Sequence, residues 1–236
     1  MSGCGAARTV DGVSDTPADV ASVRVAAGQG RVRVVAEDRD DVAVAGDAGV
    51  QREGGRTTVD AGPNRVEVRV PTGTDLVVGT SSGRVDTEGS LGSVAVVTES
   101  GRVRVQRAEE LDVRTANGRV EVERVDQCSR IRATNGRVTV ERTSEADVAT
   151  ENGRIELRSV SGRTTTHCVN GRIEVCLDAA ADVEAETVNG RITVRVPRDV
   201  TAHAVTGSLP SGPPPEGADC TIATRSVNGR VSVETA

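Results

Sequence analysis

The sequence predicts an all-β fold, namely a right-handed parallel β-solenoid (β-helix) with about 18 residues per coil. Three observations predict it: a recurring motif, a strict alternation of apolar residues inside the motif, and the absence of aromatic residues. The motif is a small polar residue followed by Gly-Arg-Val/Ile-x-Val, and it places glycines at Gly83, Gly101, Gly118, Gly136, Gly153, Gly171, Gly190 and Gly229. The step between successive glycines is about 18 positions until Gly190 and about twice as long from there to Gly229, and a fixed period of this kind is typical of a stacked repeat.

The alternation within one motif assigns each residue to a face of the coil. In the copy at 117–122, Val120 and Val122 share the inner face, whereas Arg119 and Glu121 share the outer face. The alternation changes phase at each Asn-Gly pair, which predicts a corner there. On the parity of the preceding strand, Asn117 also points inward. Asn side chains are therefore predicted to hydrogen-bond along the stack inside the corner.

Composition favours a thin core and excludes several classes of protein. The chain of 236 residues is 36% hydrophobic but contains no Phe, Trp or Tyr. Val, Ile and Ala suit a narrow pleated tube better than a wide globular core. The net charge of −6, with both signs interspersed, predicts no nucleic-acid partner. No apolar run is long enough for a transmembrane helix.

Residues 1–19 are predicted to form a flexible tether. They show no signal peptide as written, which predicts a cytoplasmic protein. Ser2, Gly3 and Cys4 resemble the end of a bacterial lipoprotein signal. If the true start lies upstream of Met1, Cys4 is the lipidation site and the protein is lipid-anchored at the cell envelope.

Residues 20–236 are predicted to form one solenoid domain. Residues 20–71 alternate in strand fashion without the regular repeat, which favours irregular capping coils and leaves a separate small β domain open. Residues 72–206 hold the regular coils. Residues 207–236 hold a degenerate copy at Gly207, a Pro-rich loop and the last coil. A left-handed hexapeptide helix is the rival fold, but it requires a small residue every six positions, and here one glycine marks each coil.

The repeat, clearest at Thr115 to Val122 and Thr150 to Leu157, resembles the bacterial β-strand-repeat domains that carry the name of adhesins. The resemblance covers roughly residues 20–236. It implies a β-solenoid, with or without a membrane anchor, and it brings no catalytic motif. Because the adhesin name says little about activity, the resemblance implies an architecture more than a function.

The largest regular surface feature is a column of arginines directly after the glycines. Its members are candidates to bind an envelope polyanion: Arg84, Arg102, Arg119, Arg137, Arg154, Arg172 and Arg191. The alternative is a structural role, because acids two residues further along the motif lie within reach of the arginines. These acids are Asp86, Glu121, Glu156 and Glu174.

The two histidines share one outward column with a glutamate. His167, Glu186 and His203 each lie four residues before the glycine of their copy, which predicts that they stack on successive coils. Two imidazoles and a carboxylate could hold a divalent metal. A surface charge pair is the alternative, and the sequence points to no other cofactor.

The sequence carries no P-loop, nucleophile elbow or zinc-type cysteine spacing. The prediction is therefore a non-enzymatic scaffold or interaction module, adhesin-like and associated with the cell envelope. A carbohydrate-active enzyme on a β-helix and a self-assembling filament subunit, joined through the solenoid ends, are the alternatives. The sequence does not identify a protein partner.

Overall fold

The computed structural model describes residues 22–207 and 217–235, and neither range contains a helix. This confirms the all-β prediction. The predicted tether 1–19, with Cys4, and most of the Pro-rich loop lie outside the described residues. The strands are β1 (Ser22–Glu37), β2 (Ala43–Ala45), β3 (Gly49–Glu53), β4 (Arg56–Gly62), β5 (Val66–Pro71), β6 (Asp75–Val160), β7 (Thr164–Leu177), β8 (Val183–Val196), β9 (Ala202–Thr206) and β10 (Cys220–Thr235).

All ten strands belong to one mostly parallel sheet. Its main path runs β2-β5-β1-β6-β7-β8-β10-β9, while β4 pairs with β1 and carries β3 on its other side. Only the β2–β5 and β3–β4 pairs are antiparallel among the described strands. The first and last strands of the path do not pair with each other, so the sheet is not closed.

The repeat motifs pair with one another in register. Asn152 pairs with Asn170, and Asn170 pairs with Asn189; the glycines that follow them pair in the same way. The 86 residues of β6 cannot form one straight strand, because Asn135 donates a hydrogen bond to Asn117, 18 residues earlier. The chain therefore turns back on itself repeatedly within β6 and lays each copy of the motif beside the previous one.

The core consists of the inward valines, isoleucines and leucines of the motif. Ile155, Ile173 and Ile192 are neighbours in successive layers and are fully buried, and Val120 and Val122 are each 1% exposed. β-Branched side chains stack well on a pleated surface, so the column fills a narrow interior without aromatic residues. This agrees with the faces predicted from the alternation.

At the amino-terminal end, the order of the layers differs from the order of the chain. β1 pairs with β4 and β5 on one side and with β6 on the other, so Gly30 lies beside Gly83 and Arg31 beside Arg84. β1 is the first strand in the chain, but it forms the second layer of the stack, inside the layer of β4 and β5. β2 and β3 pair antiparallel with β5 and β4 at the outside of the stack. The division of the chain at residue 71 stays a prediction.

The carboxyl-terminal end has the same inversion, and it corrects one sequence prediction. The sequence places a degenerate copy at Gly207 as an extra layer in the long step between Gly190 and Gly229. Instead Asn189 pairs directly with Asn228, and β9 lies on the outer side of β10. Among the described strands, β9 pairs only with Cys220–Thr224, the first part of β10.

None of the described residues belongs to a helix with the length and apolar character needed to cross a bilayer.

Candidate functional site

The candidate site is one edge of the stack, where each coil turns. We call it the Asn-Gly-Arg corner and define it by each repeat glycine with the residue before it and the arginine after it. It comprises residues 82–84, 100–102, 117–119, 135–137, 152–154, 170–172, 189–191 and 228–230.

Glycine is required at the corner because successive layers meet there at their closest. A Cβ atom built on Gly101 would lie 1.9 Å from the carbonyl oxygen of Gly83, and one on Gly136 would lie 1.9 Å from that of Gly118. The φ angle of Gly101 is +135°, a region that L side chains rarely adopt. Both constraints act on the same residue, so the backbone itself forms the surface of the corner.

The asparagines form a hydrogen-bonded ladder along the corner. From the second asparagine onward, each side-chain Nδ2 donates to the side-chain Oδ1 of the asparagine in the preceding layer, with donor–acceptor distances of 2.8–3.1 Å. The ladder consists of Asn117, Asn135, Asn152, Asn170, Asn189 and Asn228. The ladder itself agrees with the sequence prediction, but its position does not. All six asparagines are exposed, because the change of phase at the corner falls before the asparagine and turns its side chain outward.

We expect Asn135→Leu to lower stability only modestly. It removes one donated and one accepted hydrogen bond from an exposed ladder, and water replaces part of each, so the loss is about 1 kcal/mol. Thr134→Leu, next to it and outside the ladder, is the matched control. Urea denaturation of both variants measures the difference, and equal midpoints would show that the ladder adds nothing.

The arginine column divides into two groups by ion pairing. Arg84 lies 2.7 Å from Asp86, Arg154 lies 2.9 Å from Glu156, and both Arg154 and Arg172 reach Glu174. Arg119 lies 3.6 Å from Glu121. These contacts match the structural pairing that the sequence offered as the alternative.

The other arginines of the column have no carboxylate within 4.0 Å among the described residues; they are Arg102, Arg137, Arg191 and Arg230. The reason is local, because the position two residues later holds Arg104, Thr139, Thr193 and Ser232 instead of an acid. The sequence alone already shows that these four arginines lack an acid two residues later. It also contains Arg31, which extends the column beside Arg84 although the two are far apart in the chain.

Two open grooves follow the corner. One has a volume of about 590 Å³ and is lined by Gly153, Gly171, Arg172, Gly190, Arg191 and Arg230. The other has a volume of about 460 Å³ and is lined by Gly118, Arg119, Gly136, Arg137, Gly153 and Arg154. Since glycine has no side chain, the backbone forms the floor and the guanidinium groups form the walls.

The predicted histidine column is only partly assembled. His167 pairs with Glu186, and its Nδ1 lies 3.6 Å from the Oε2 of that glutamate. The next layer places Arg225 beside Glu186, whereas His203, in β9, pairs with Thr221 of β10. The correction follows from the inverted order of β9 and β10. Within residues 22–207 and 217–235, no three His, Cys, Asp or Glu side chains are grouped to hold a metal ion.

Three free thiols lie in the described part of the chain: Cys168, Cys176 and Cys220. Cys168 and Cys220 are buried free thiols, and burial raises the pKa of both, which disfavours the thiolate. Cys176 is half-buried and accepts a hydrogen bond from Arg195. The predicted lipidation site, Cys4, lies outside the described residues and stays a prediction.

Comparison with known proteins identifies a family, and the solved structures that resemble the chain include a remote one. The family model described as Toastrack DUF4097 matches residues 22–213. A solved structure of a "putative cell adhesion protein" from Clostridium sporogenes is 8% identical, covers 93% of this chain and 95% of that chain, and has a TM-score of 0.26. That score is too low to carry an argument. No curated protein matches the chain.

Proposed function

This chain belongs to the Toastrack DUF4097 family. We propose that it is a non-enzymatic binding module whose Asn-Gly-Arg corner binds a linear anionic polymer. The family has no assigned activity, so the proposal depends on the site. The membership does confirm the resemblance that the repeat indicated. The proposed scaffold is a right-handed β-solenoid with about 18 residues per coil.

The spacing of paired residues and a general rule about parallel strands support this scaffold. The paired residues Asn152 and Asn170 lie 18 residues apart in the chain, and Asn170 and Asn189 lie 19 residues apart. Connections between parallel strands of one sheet are nearly always right-handed, because a right-twisted strand packs back onto its sheet only that way. Each coil then advances one strand spacing, ~4.8 Å, and repeats the same surface groups.

The observation that carries the proposal is the uncompensated charge of the column. Arg102, Arg137 and Arg191 have no carboxylate partner in the described chain, although the adjacent layers, one strand spacing of ~4.8 Å away, also carry arginines in this column. Like charges at this separation repel one another. An anion placed along the groove removes that repulsion and accepts hydrogen bonds from several arginines at once.

The asparagine ladder supplies neutral donors beside the arginines. Each internal asparagine uses one N–H for the ladder, which leaves its second N–H for a ligand. The donors repeat at the layer spacing along the six layers from Asn117 to Asn228. A linear polymer with regularly spaced anionic oxygens fits such a row, whereas a compact ligand would meet only one or two layers.

The chemistry favours a phosphodiester or carboxylate polymer without bases. The chain has no aromatic residue, and aromatic stacking is the main means of holding single-stranded nucleic acid. Phosphates match the planar guanidinium fork. An anionic polymer of the cell envelope has this chemistry, so the proposed place of action is the envelope.

The test compares two triple variants that remove the same charge. In one, Arg102, Arg137 and Arg191 are replaced by Gln. In the other, Gln replaces three arginines that also lack a carboxylate partner in the described chain but lie outside the corner: Arg65, Arg142 and Arg163. Binding to poly(glycerol phosphate) is measured by isothermal titration calorimetry. At about 1 kcal/mol for each contact, we expect the corner variant to bind roughly 100-fold more weakly and the control to change little.

Three outcomes decide the proposal. Affinity of the unaltered protein should fall as salt rises, since exposed charges are screened over ~8–10 Å at physiological ionic strength. Equal losses in both variants would mean that net charge, and not the corner, attracts the polymer. Vesicles of phosphatidylglycerol and of phosphatidylcholine form the second arm: binding to the anionic vesicles alone, without the free polymer, would assign the corner to a lipid surface instead.

A further inference from the structure

The outermost layers at the two ends of the stack differ in how much of their length is paired with a further strand. At the amino-terminal end, β2 and β3 pair antiparallel with β5 and β4, so both halves of the outer layer are covered. At the carboxyl-terminal end, β9 pairs with Cys220–Thr224 and with no residue of β10 beyond it. From Asn228 to Thr235, β10 pairs with β8 on one side and with no described strand on the other.

The half of β10 that has no outer neighbour among the described strands, Asn228 to Thr235, exposes the end of the core. Val233 is 37% exposed and Val231 is half-buried, whereas Val194 and Ile192, their neighbours in β8, are fully buried. The difference agrees with the pairing, because no described strand lies on the outer side of Asn228–Thr235. An unpaired strand edge with exposed apolar groups is a template for strand addition, and soluble proteins normally protect such edges.

Polar groups at this edge also have no neighbouring layer on their outer side within the described part of the chain. Arg230 has no carboxylate within 4.0 Å there, and the carbonyl oxygen of Asn228 ends the amide ladder with no donor on its outer side. Glu234 accepts a hydrogen bond of 3.0 Å from the hydroxyl of Ser232 in its own strand and lies 3.6 Å from Arg195, and its side chain is exposed. Along the edge, an added strand would therefore meet an amide oxygen, a cation, two apolar side chains and an anion. They belong to Asn228, Arg230, Val231, Val233 and Glu234.

We propose that Asn228–Thr235 binds one extended strand of a partner protein, added in parallel to β10 in the half of the last layer that no described strand occupies. The partner strand carries Asn or another amide donor, then an acidic residue above Arg230, apolar residues above Val231 and Val233, and a basic residue above Glu234. Main-chain hydrogen bonds give affinity in this mode, and the alternate side chains give specificity. The edge shares Asn228 and Arg230 with the Asn-Gly-Arg corner, but strand binding does not require that the corner binds a polymer.

A single strand fits the edge better than the end of a second copy. β9 already occupies the neighbouring half of the outer layer, so it stands one strand spacing, ~4.8 Å, above the free half. The flat end of another molecule would meet β9 before it reached β10. One short strand, matched in length to Asn228–Thr235, fills the step.

The experiment uses the full chain and two synthetic peptides. The first peptide, Asn-Gly-Glu-Val-Ser-Val-Arg-Thr, copies Asn228–Thr235 with its two charges exchanged; the second keeps the native order. In the parallel register the first places opposite charges together and the second places like charges together. We expect the exchanged peptide to bind about tenfold more tightly, because two cross-strand charge pairs change sign.

A double variant of the protein makes the test specific. In R230E/E234R the charges of the edge are exchanged, so the preference between the two peptides should invert while the overall affinity stays similar. Loss of binding to both peptides, or an unchanged preference, would overturn the charge register. A preference of the unaltered protein for the native-order peptide would indicate antiparallel addition and would also overturn the proposal.

Hydrogen exchange and oligomeric state show whether the edge is instead covered by another segment of the same chain or by a second copy of the protein. Main-chain amides of Asn228–Thr235 that point away from β8 should exchange fast in the free protein and slowly with the exchanged peptide. Slow exchange in the free monomer would mean that the chain covers its own edge. Sedimentation showing a dimer that R230E dissociates would assign the edge to a second copy. Either result would contradict a partner strand.

Discussion

Gly101→Ala should destabilise the protein by more than about 4 kcal/mol, a large fraction of the roughly 5–15 kcal/mol by which ordinary domains are stable. The added Cβ atom would lie 1.9 Å from the carbonyl oxygen of Gly83 and 2.9 Å from its carbonyl carbon. These are backbone atoms of the neighbouring layer, so no side chain can move aside. The φ angle of +135° adds backbone strain.

Gly79→Ala is the matched control for this substitution. Gly79 lies in the same strand, and a Cβ atom built on it meets nothing within 4 Å. Its stability should change by less than about 0.5 kcal/mol. Urea denaturation followed by circular dichroism measures both variants. If Gly101→Ala melts like the control, the layers are not packed backbone to backbone at the corner.

Ile155→Ala should cost about 2–5 kcal/mol, the second largest effect we expect. Ile155 is fully buried and lies directly beside Ile173 in the next layer. Removing its side chain loses apolar burial and leaves a cavity, and the flanking layers cannot close it without losing their register. The narrow core also lacks large aromatic side chains that could turn into the space.

Val97→Ala measures the effect of a similar truncation on the surface. Val97 belongs to the same strand but is 55% exposed, so its loss should change stability by about 0.5 kcal/mol or less. Thermal unfolding of both variants at equal concentration gives the comparison. A small loss at Ile155 would mean that the interior is loosely packed.

Much of the candidate site was predictable because it depends on local spacing. The motif sets which residues follow each glycine, and the structure lays like residues side by side as the spacing required. The absence of an acid two residues after Arg102, Arg137 and Arg191 was also visible in the sequence. What the spacing could not give is whether each neighbouring acid reaches its arginine: Arg84 and Asp86 meet at 2.7 Å, while Arg119 and Glu121 lie 3.6 Å apart.

The direction of the asparagines could not be predicted from alternation. Parity assigns faces within a strand, but at a corner the backbone rotates, and the residue at which the phase changes depends on the dihedral angles of the few residues that form the turn. Asn117 could therefore be placed inward on the parity of one strand or outward on that of the next. In the folded chain it is exposed, and the ladder is a surface feature.

The sequence by itself determined the repeat, the glycines at the corners, and the inward column of which Ile155 and Ile173 are members. Each follows from interactions between residues close in the chain or one period apart. Only the tertiary structure decided the order of layers at the two ends, where β1 lies between the β4–β5 layer and β6, and β10 lies between β8 and β9. The physical reason is that every layer offers the same hydrogen-bonding edge and the same apolar column. The order in which they stack therefore depends on which connections can reach across a layer, and residue spacing does not encode that.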